Sequence, residues 1–178
     1  ESADRIMYYP DVRCDRLRES ISDFERIEKE KILCGNGAAE LFFAVVMAIK
    51  QKKALVTAPA FSEYERALGT VGAEVQYYRL KEEQDFRIQE DILEQITEDT
   101  DMIFLCNPNN PTGALYPKEI LEQIVEIARE HQLMLFSDEI YDRLVMDGLE
   151  HISIASLAPD LFCVTFSGLS KSHMIAGW

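Results

Sequence analysis

Cys106-Asn107-Pro108-Asn109-Asn110-Pro111-Thr112-Gly113 follows directly on Met102-Ile103-Phe104-Leu105. An apolar run that ends in asparagine, proline and glycine reads as a buried strand whose carboxyl end opens into a tightly specified loop, where open α/β sheets hold their ligands. Two further runs end in a comparable way. Leu133-Met134-Leu135-Phe136-Ser137 leads into Asp138-Glu139-Ile140-Tyr141, and Leu161-Phe162-Cys163-Val164-Thr165-Phe166 leads into Ser167-Gly168-Leu169-Ser170-Lys171. An amide, a carboxylate with a phenol, and a lysine are expected to converge on one rim.

Between the first two strands, Pro117 sits where a first-turn proline is tolerated, and Ile120, Leu121, Ile124, Ile127 and Ala128 form a helical stripe ending near His131. His131 reads as a favourable last-turn residue, not a catalyst. Residues 102–137 thus predict a βαβ unit with a right-handed parallel connection. Upstream, Phe86, Ile88, Ile92, Leu93 and Ile96 predict a short amphipathic helix within Asp85 to Thr97. Ala54 to Thr57 is a strand, after which Ser62 and Glu65 have the spacing of a capping box and Tyr64 and Leu68 share a helix face. Val71-Gly72-Ala73 ends that helix before an edge-like strand over Glu74 to Leu80.

Leu41 to Ile49 reads as a buried helix, entered through Gly35-Asn36-Gly37-Ala38-Ala39-Glu40. Free amides at such a helix start suit a phosphate, although on the motif alone a plain glycine turn is the commoner reading. Leu17, Ile21 and Phe24 predict a surface helix over Asp15 to Glu30, after the turn-prone Tyr8-Tyr9-Pro10-Asp11. Asp142 to Asp160 has turn signals around a short helix and contains His151, read as a surface or locally hydrogen-bonded residue. The expected fold is α/β, a mostly parallel sheet flanked by helices on both faces.

At 178 residues and 47% hydrophobic content the chain fits one domain with a sizeable core. Its 18 Lys plus Arg against 32 Asp plus Glu give a net charge of -14, which disfavours nucleic acid and anionic membranes as partners. No run is long enough to span a membrane. Cys14, Cys34, Cys106 and Cys163 form no CxxC pair, so neither a disulfide framework nor a zinc site is indicated; buried free thiols in a reducing, cytoplasmic setting are the expectation. The start at Glu1-Ser2-Ala3-Asp4 and the apolar ending Met174-Ile175-Ala176-Gly177-Trp178 read as those of a fragment.

The polar groups at the rim suggest their own chemistry. A carboxylate at Asp138 in apolar surroundings needs a cationic or N–H partner, and a protonated heterocyclic nitrogen is one. Lys171 can attack a carbonyl once it loses a proton. Asn110 and Tyr141 are donors for an anionic ring oxygen, Phe61 can either stack on a planar ring or fill core, and the helix start at Ala38 can hold a phosphate. Together they describe a receptacle for pyridoxal 5'-phosphate.

The ordered set Asn107 to Gly113, Asp138 to Tyr141, and Ser170-Lys171 followed by Ala176-Gly177-Trp178 resembles the fold-type-I pyridoxal-phosphate enzymes of aminotransferase class I and II. The resemblance covers nearly the whole chain. It implies that Lys171 forms the Schiff base and shuttles a proton, that Asp138 pairs with the pyridine nitrogen, and that Asn110 and Tyr141 donate to O3′. Phe61 matches the stacking ring, and Gly37, Ala38 and Ala39 match the phosphate turn, with Ser170 as a further phosphate contact. Tyr9 is similar to the tyrosine that reaches the neighbouring subunit's phosphate in histidinol-phosphate aminotransferases and threonine-phosphate decarboxylases, which implies a homodimer. The implied activity is transfer of an amino group from an L-amino acid to a 2-oxoacid, with decarboxylation as the alternative. The aspartate, alanine and aromatic transaminases share the Asp138 to Tyr141 pattern.

The chain departs from the family's pattern at Gly168, where many relatives carry a hydroxyl three residues before the lysine; Ser167 or Ser170 would have to replace it. The pattern also continues past Gly-Trp into an arginine that pairs with phosphate. Residues 1–178 are therefore expected to be a partial large domain without the small C-terminal domain, and weak in cofactor binding and turnover if isolated. Two non-enzyme readings, a regulator's ligand-sensing domain and a fold that has lost catalysis, lack a DNA-binding module in the first case and conflict with the lysine–carboxylate–asparagine set in the second.

Overall fold

The computed structural model describes residues 7–176, so the readings of Glu1 to Asp4 and of Gly177-Trp178 lie outside it. Two compact units divide the chain, residues 1–36 and 37–178. In the first, α1 (Asp15–Glu25) is shorter than the expected span to Glu30. Arg26 turns left-handed at φ 57, the Ser22 hydroxyl donates to the Ile27 carbonyl at 2.6 Å, and a short 3₁₀ turn, Lys29–Lys31, follows. The Arg18 guanidinium closes this unit by donating to the carbonyls of Lys29 and Ile32.

The second unit holds a five-stranded parallel sheet in the order β2-β1-β3-β4-β5. Its elements in chain order are α2 (Ala38–Ile49), β1 (Lys53–Ala58), α3 (Glu63–Thr70), β2 (Glu74–Arg79), β3 (Met102–Cys106), α4 (Lys118–His131), β4 (Met134–Asp138), α5 (Ile154–Leu157), β5 (Cys163–Phe166) and α6 (Leu169–Ser172). Each strand of a parallel sheet is followed by a crossover, which is why helical patterns alternate with apolar runs along the chain.

Side chains alternate between the two faces with period two. Leu55, Ile103, Leu105 and Leu135 meet α4 and α5, and the buried row Ile120, Leu121, Ile124, Val125 and Ala128 supplies the helical side of that layer. Ala54, Val56, Met102, Phe104, Cys106, Phe136 and Phe166 meet α2 and α3 on the other face. The helix at α2 buries Phe42 and Val46 but leaves Met47 half exposed, so it is one-sided and not the fully buried helix its composition predicts. As expected, β2 lies at an edge, and its burial is only partial.

Two local expectations are corrected. Ser62 already has helical angles, φ -64 and ψ -18, and its carbonyl accepts the Arg66 N–H at 3.2 Å; with the helix started one turn position early, its hydroxyl forms no capping box with Glu65. Asp85 to Thr97 is not an α-helix but an irregular stretch with a 3₁₀ run, Glu90–Gln95. Asp85 and Phe86 are both left-handed, and the Tyr78 hydroxyl accepts the Gln89 N–H at 3.1 Å and bonds Asp91, fastening the segment to β2. Ile88 and Ile92 still reach the core, so tertiary contacts satisfy the apolar spacing without the helix. Of the four free thiols only that of Cys106 is buried; Cys14, Cys34 and Cys163 are half-buried.

Candidate active site

The loop after β3 is braced by its own asparagines. Asn107 accepts the Tyr116 N–H through Oδ1 at 3.0 Å, and its backbone N–H donates to the Asp138 carbonyl at 3.0 Å. Asn109 donates to the Pro59 carbonyl at 3.1 Å and accepts the Thr112 hydroxyl at 2.7 Å. Both are buried, and their polar groups tie the loop to itself and to the ends of β1 and β4. Asn110 is different: its backbone N–H donates to Cys106 Sγ at 3.3 Å, and the residue lines a cavity of about 160 Å³ together with Pro108, Gly113, Tyr141 and Leu144. Two of the residues singled out from the sequence thus share one cavity.

Asp138 closes β4 in register with Cys106 of β3 and Phe166 of β5. That register turns it to the aromatic face, where it is only 3% exposed. Its Oδ2 accepts the Tyr64 hydroxyl at 2.5 Å and its Oδ1 accepts the Ile140 N–H at 3.1 Å. Burial pushes this carboxyl above its ordinary value, while the Tyr64 and Ile140 donors and the charge of Lys171 pull it down. Lys171 itself is exposed on α6, its Nζ 6.0 Å from the centre of the Tyr141 ring. Ser170, half-buried, precedes it.

Phe61, 38% exposed, meets Phe42 of α2 and Tyr64 of α3 edge-on, at 6.5 and 5.8 Å between ring centres. It also borders a larger cavity of about 320 Å³ toward β2, lined by Tyr77, Arg79 and Glu65 among others, which shares no residue with the cavity at Asn110. Gly37 stands at the start of α2 with φ 83, a left-handed angle suited to glycine, and Ala38 and Ala39 open the helix. Tyr9 belongs to the first unit and is fully exposed.

On the opposite face, Glu139 is 3% exposed. It accepts the Ser137 hydroxyl at 2.8 Å and the Ile154 N–H at 3.2 Å, and lies 3.6 Å from His151 Nε2. That imidazole nitrogen also stands 3.0 Å from the Asn107 carbonyl, so His151 braces the loop rather than facing water. Burial pushes Glu139 up to about 7 and His151 below its ordinary value, favouring the neutral form of each. A carboxyl raised on folding stabilises the fold most when protonated in both states. Its contribution is complete below the unfolded value of 4.5 and is lost as pH rises through about 7. Glu139→Gln should flatten that decline, worth on the order of 2–3 kcal/mol, in urea midpoints measured between about pH 5 and about pH 8. An equally steep decline in the variant would refute the assignment to Glu139.

Residues 1–178 match the family described as aminotransferase class I and II along their whole length. The chain belongs to this family. Escherichia coli (strain K12) glutamate-pyruvate aminotransferase AlaA is 45% identical over 152 residues, 84% of this chain and 38% of the relative. Threonine-phosphate decarboxylase of Salmonella typhimurium is 34% identical over 179 residues, 99% of this chain and 48% of the relative. Among solved structures, the alanine aminotransferase from Pyrococcus furiosus superposes with a TM-score of 0.86 at 34% identity, covering 96% of this chain and 46% of that one. The chain therefore spans less than half the length of each of these relatives.

For this aminotransferase family member the implied cofactor is pyridoxal 5'-phosphate, and the surroundings of Asp138 suit its ring nitrogen. Asp138 is a buried carboxylate whose two contacting donors are uncharged, a setting that favours a cationic N–H as a further partner. Sequence reading found the strand-end residues but missed Tyr64 as a partner of Asp138, treating it only as a helix-face residue. A phenol on an otherwise apolar face was the available signal. Among the described residues no helix is long and apolar enough to cross a membrane, and no cluster of three or more His, Cys, Asp or Glu could hold a metal ion.

Proposed function

We propose that the whole protein transfers an amino group from an L-amino acid to a 2-oxoacid, with pyridoxal 5'-phosphate held at the strand-end rim. The observation that carries this reading is the buried Asp138 at the end of β4, with Asn110 and Tyr141, from the loops after β3 and β4, lining one cavity. Asp138 would receive the ring nitrogen's N–H and favour its protonated form. Asn110 and Tyr141 would donate to the cofactor's O3′, Phe61 would stack on its ring, and the amides at Gly37, Ala38 and Ala39, with Ser170, would hold its phosphate. When bound, the cofactor supplies an electron sink for the pair left at the amino acid's Cα. Once freed of its own proton, Lys171 would be the base that takes the proton from the amino acid's Cα and gives it back later in the transfer. Tyr9 reaches the phosphate of a second subunit, which makes the active form a homodimer.

The name of the 45%-identical relative makes L-alanine or L-glutamate with a 2-oxoacid the first substrates to test. Purified protein loaded with the cofactor is expected to accumulate the aminated cofactor when given the amino acid and to lose it on addition of a 2-oxoacid, as followed by absorbance. Similarity to the threonine-phosphate decarboxylase over 99% of the chain favours decarboxylation as the second reading. Carbon dioxide release without any aminated cofactor would select it and overturn transamination.

A further inference from the structure

Tyr64 and Asp138 stand 74 residues apart in the chain and 2.5 Å apart in the fold. The tyrosine is 1% exposed, and its ring is fixed from three sides. It stacks on Phe104 at 4.2 Å and meets Phe42 at 5.1 Å and Phe61 at 5.8 Å edge-on. A phenol packed this way has one direction for its oxygen, and Asp138 Oδ2 lies along it. We propose that Tyr64 is a positioning residue for Asp138, its hydroxyl fixing the plane of the carboxylate and holding it as the anion that receives a cationic N–H.

This inference rests on the proposed role of Asp138 and extends it to a residue outside the set predicted from sequence. Two donors bond the carboxylate, the Tyr64 hydroxyl from α3 and the Ile140 N–H from the following loop, and two further titratable groups are coupled to it through charge, the Cys106 thiol from β3 and Lys171 from α6. The thiol, pushed up to about 12 by burial, is neutral, and the phenol is pushed well above its usual range, so it stays a donor wherever the protein is folded. Cys106 also receives the Asn110 N–H at 3.3 Å, so the same buried knot ties the carboxylate to the asparagine loop. Phe61, two residues before α3, meets the Tyr64 ring edge-on at 5.8 Å, so the exposed ring touches the one that anchors the carboxylate.

The decisive experiment titrates Asp138 in the cofactor-free protein by carboxyl-carbon NMR, its signal identified by its absence from Asp138→Asn. Tyr64→Phe keeps the ring and deletes the donor, and should raise the Asp138 midpoint by about one unit, a tenfold change in proton affinity. Its affinity for pyridoxal phosphate, read by absorbance, should fall about tenfold for the same reason. If Tyr64→Phe does not fold, uniform replacement of tyrosine by 3-fluorotyrosine, a stronger donor, should lower the midpoint instead. An unmoved midpoint in the folded variant, or a midpoint that fails to fall with the fluorinated residue, overturns the inference. Absence of cofactor binding by the unmodified protein would instead overturn the proposed function, while the titration still reads the Tyr64–Asp138 link.

Discussion

Lys171→Ala is expected to abolish the borohydride-fixed adduct between the protein and pyridoxal phosphate, and to lower turnover by at least about 10²–10⁴-fold. Lys171 is exposed on α6, and its side chain fills no part of either core cluster. Its removal should therefore change stability by no more than about 0.5 kcal/mol. The expected result is a folded protein with an unchanged urea midpoint and no added cofactor mass after reduction. Peptide mapping decides it: an adduct that persists on another lysine would remove Lys171 from the chemistry.

Phe104→Ala is expected to have the largest effect on stability. Phe104 sits in the middle of the central strand β3, is 0% exposed, and touches the rings of Tyr64, Phe42, Phe136 and Phe166 at 4.2, 5.6, 5.5 and 5.9 Å. Truncating such a side chain removes its transfer free energy and leaves a cavity that strands on both sides prevent from collapsing. A loss of about 3–5 kcal/mol follows, against a total of about 5–15 kcal/mol for an ordinary domain. Urea denaturation should show the midpoint falling with an unchanged slope. A loss under about 1 kcal/mol would mean that the aromatic cluster is not the packed centre of this face.

The fold was legible because its strands are apolar runs cut off by polar loops, and because the α4 stripe repeats at helical spacing between two of them. Asn110, Asp138, Tyr141 and Lys171 were legible for the same reason: each follows a run whose end was already evident. What failed was decided by contacts distant in sequence. Ile88 and Ile92 carry a helical spacing, yet Tyr78 on a neighbouring strand holds their segment in another conformation. Ser62 has the right residue type for a cap, but its own backbone is already helical and its hydroxyl caps nothing. The Tyr64–Asp138 contact and the Glu139–His151 pair needed the strand register, which fixes the face toward which each residue of β4 and its following loop points.

Because all five strands run in the same direction, the loops after β1, β3, β4 and β5, which carry Phe61, Asn110, Tyr141 and the approach to Lys171, leave from one end of the sheet. The connections at Gly72, Asp99 and Gln132 leave from the other. That far end is where a fluorophore, affinity handle or fused partner can be attached to follow folding in real time, with the sheet as an insulating spacer between the reporter and the rim it reports on.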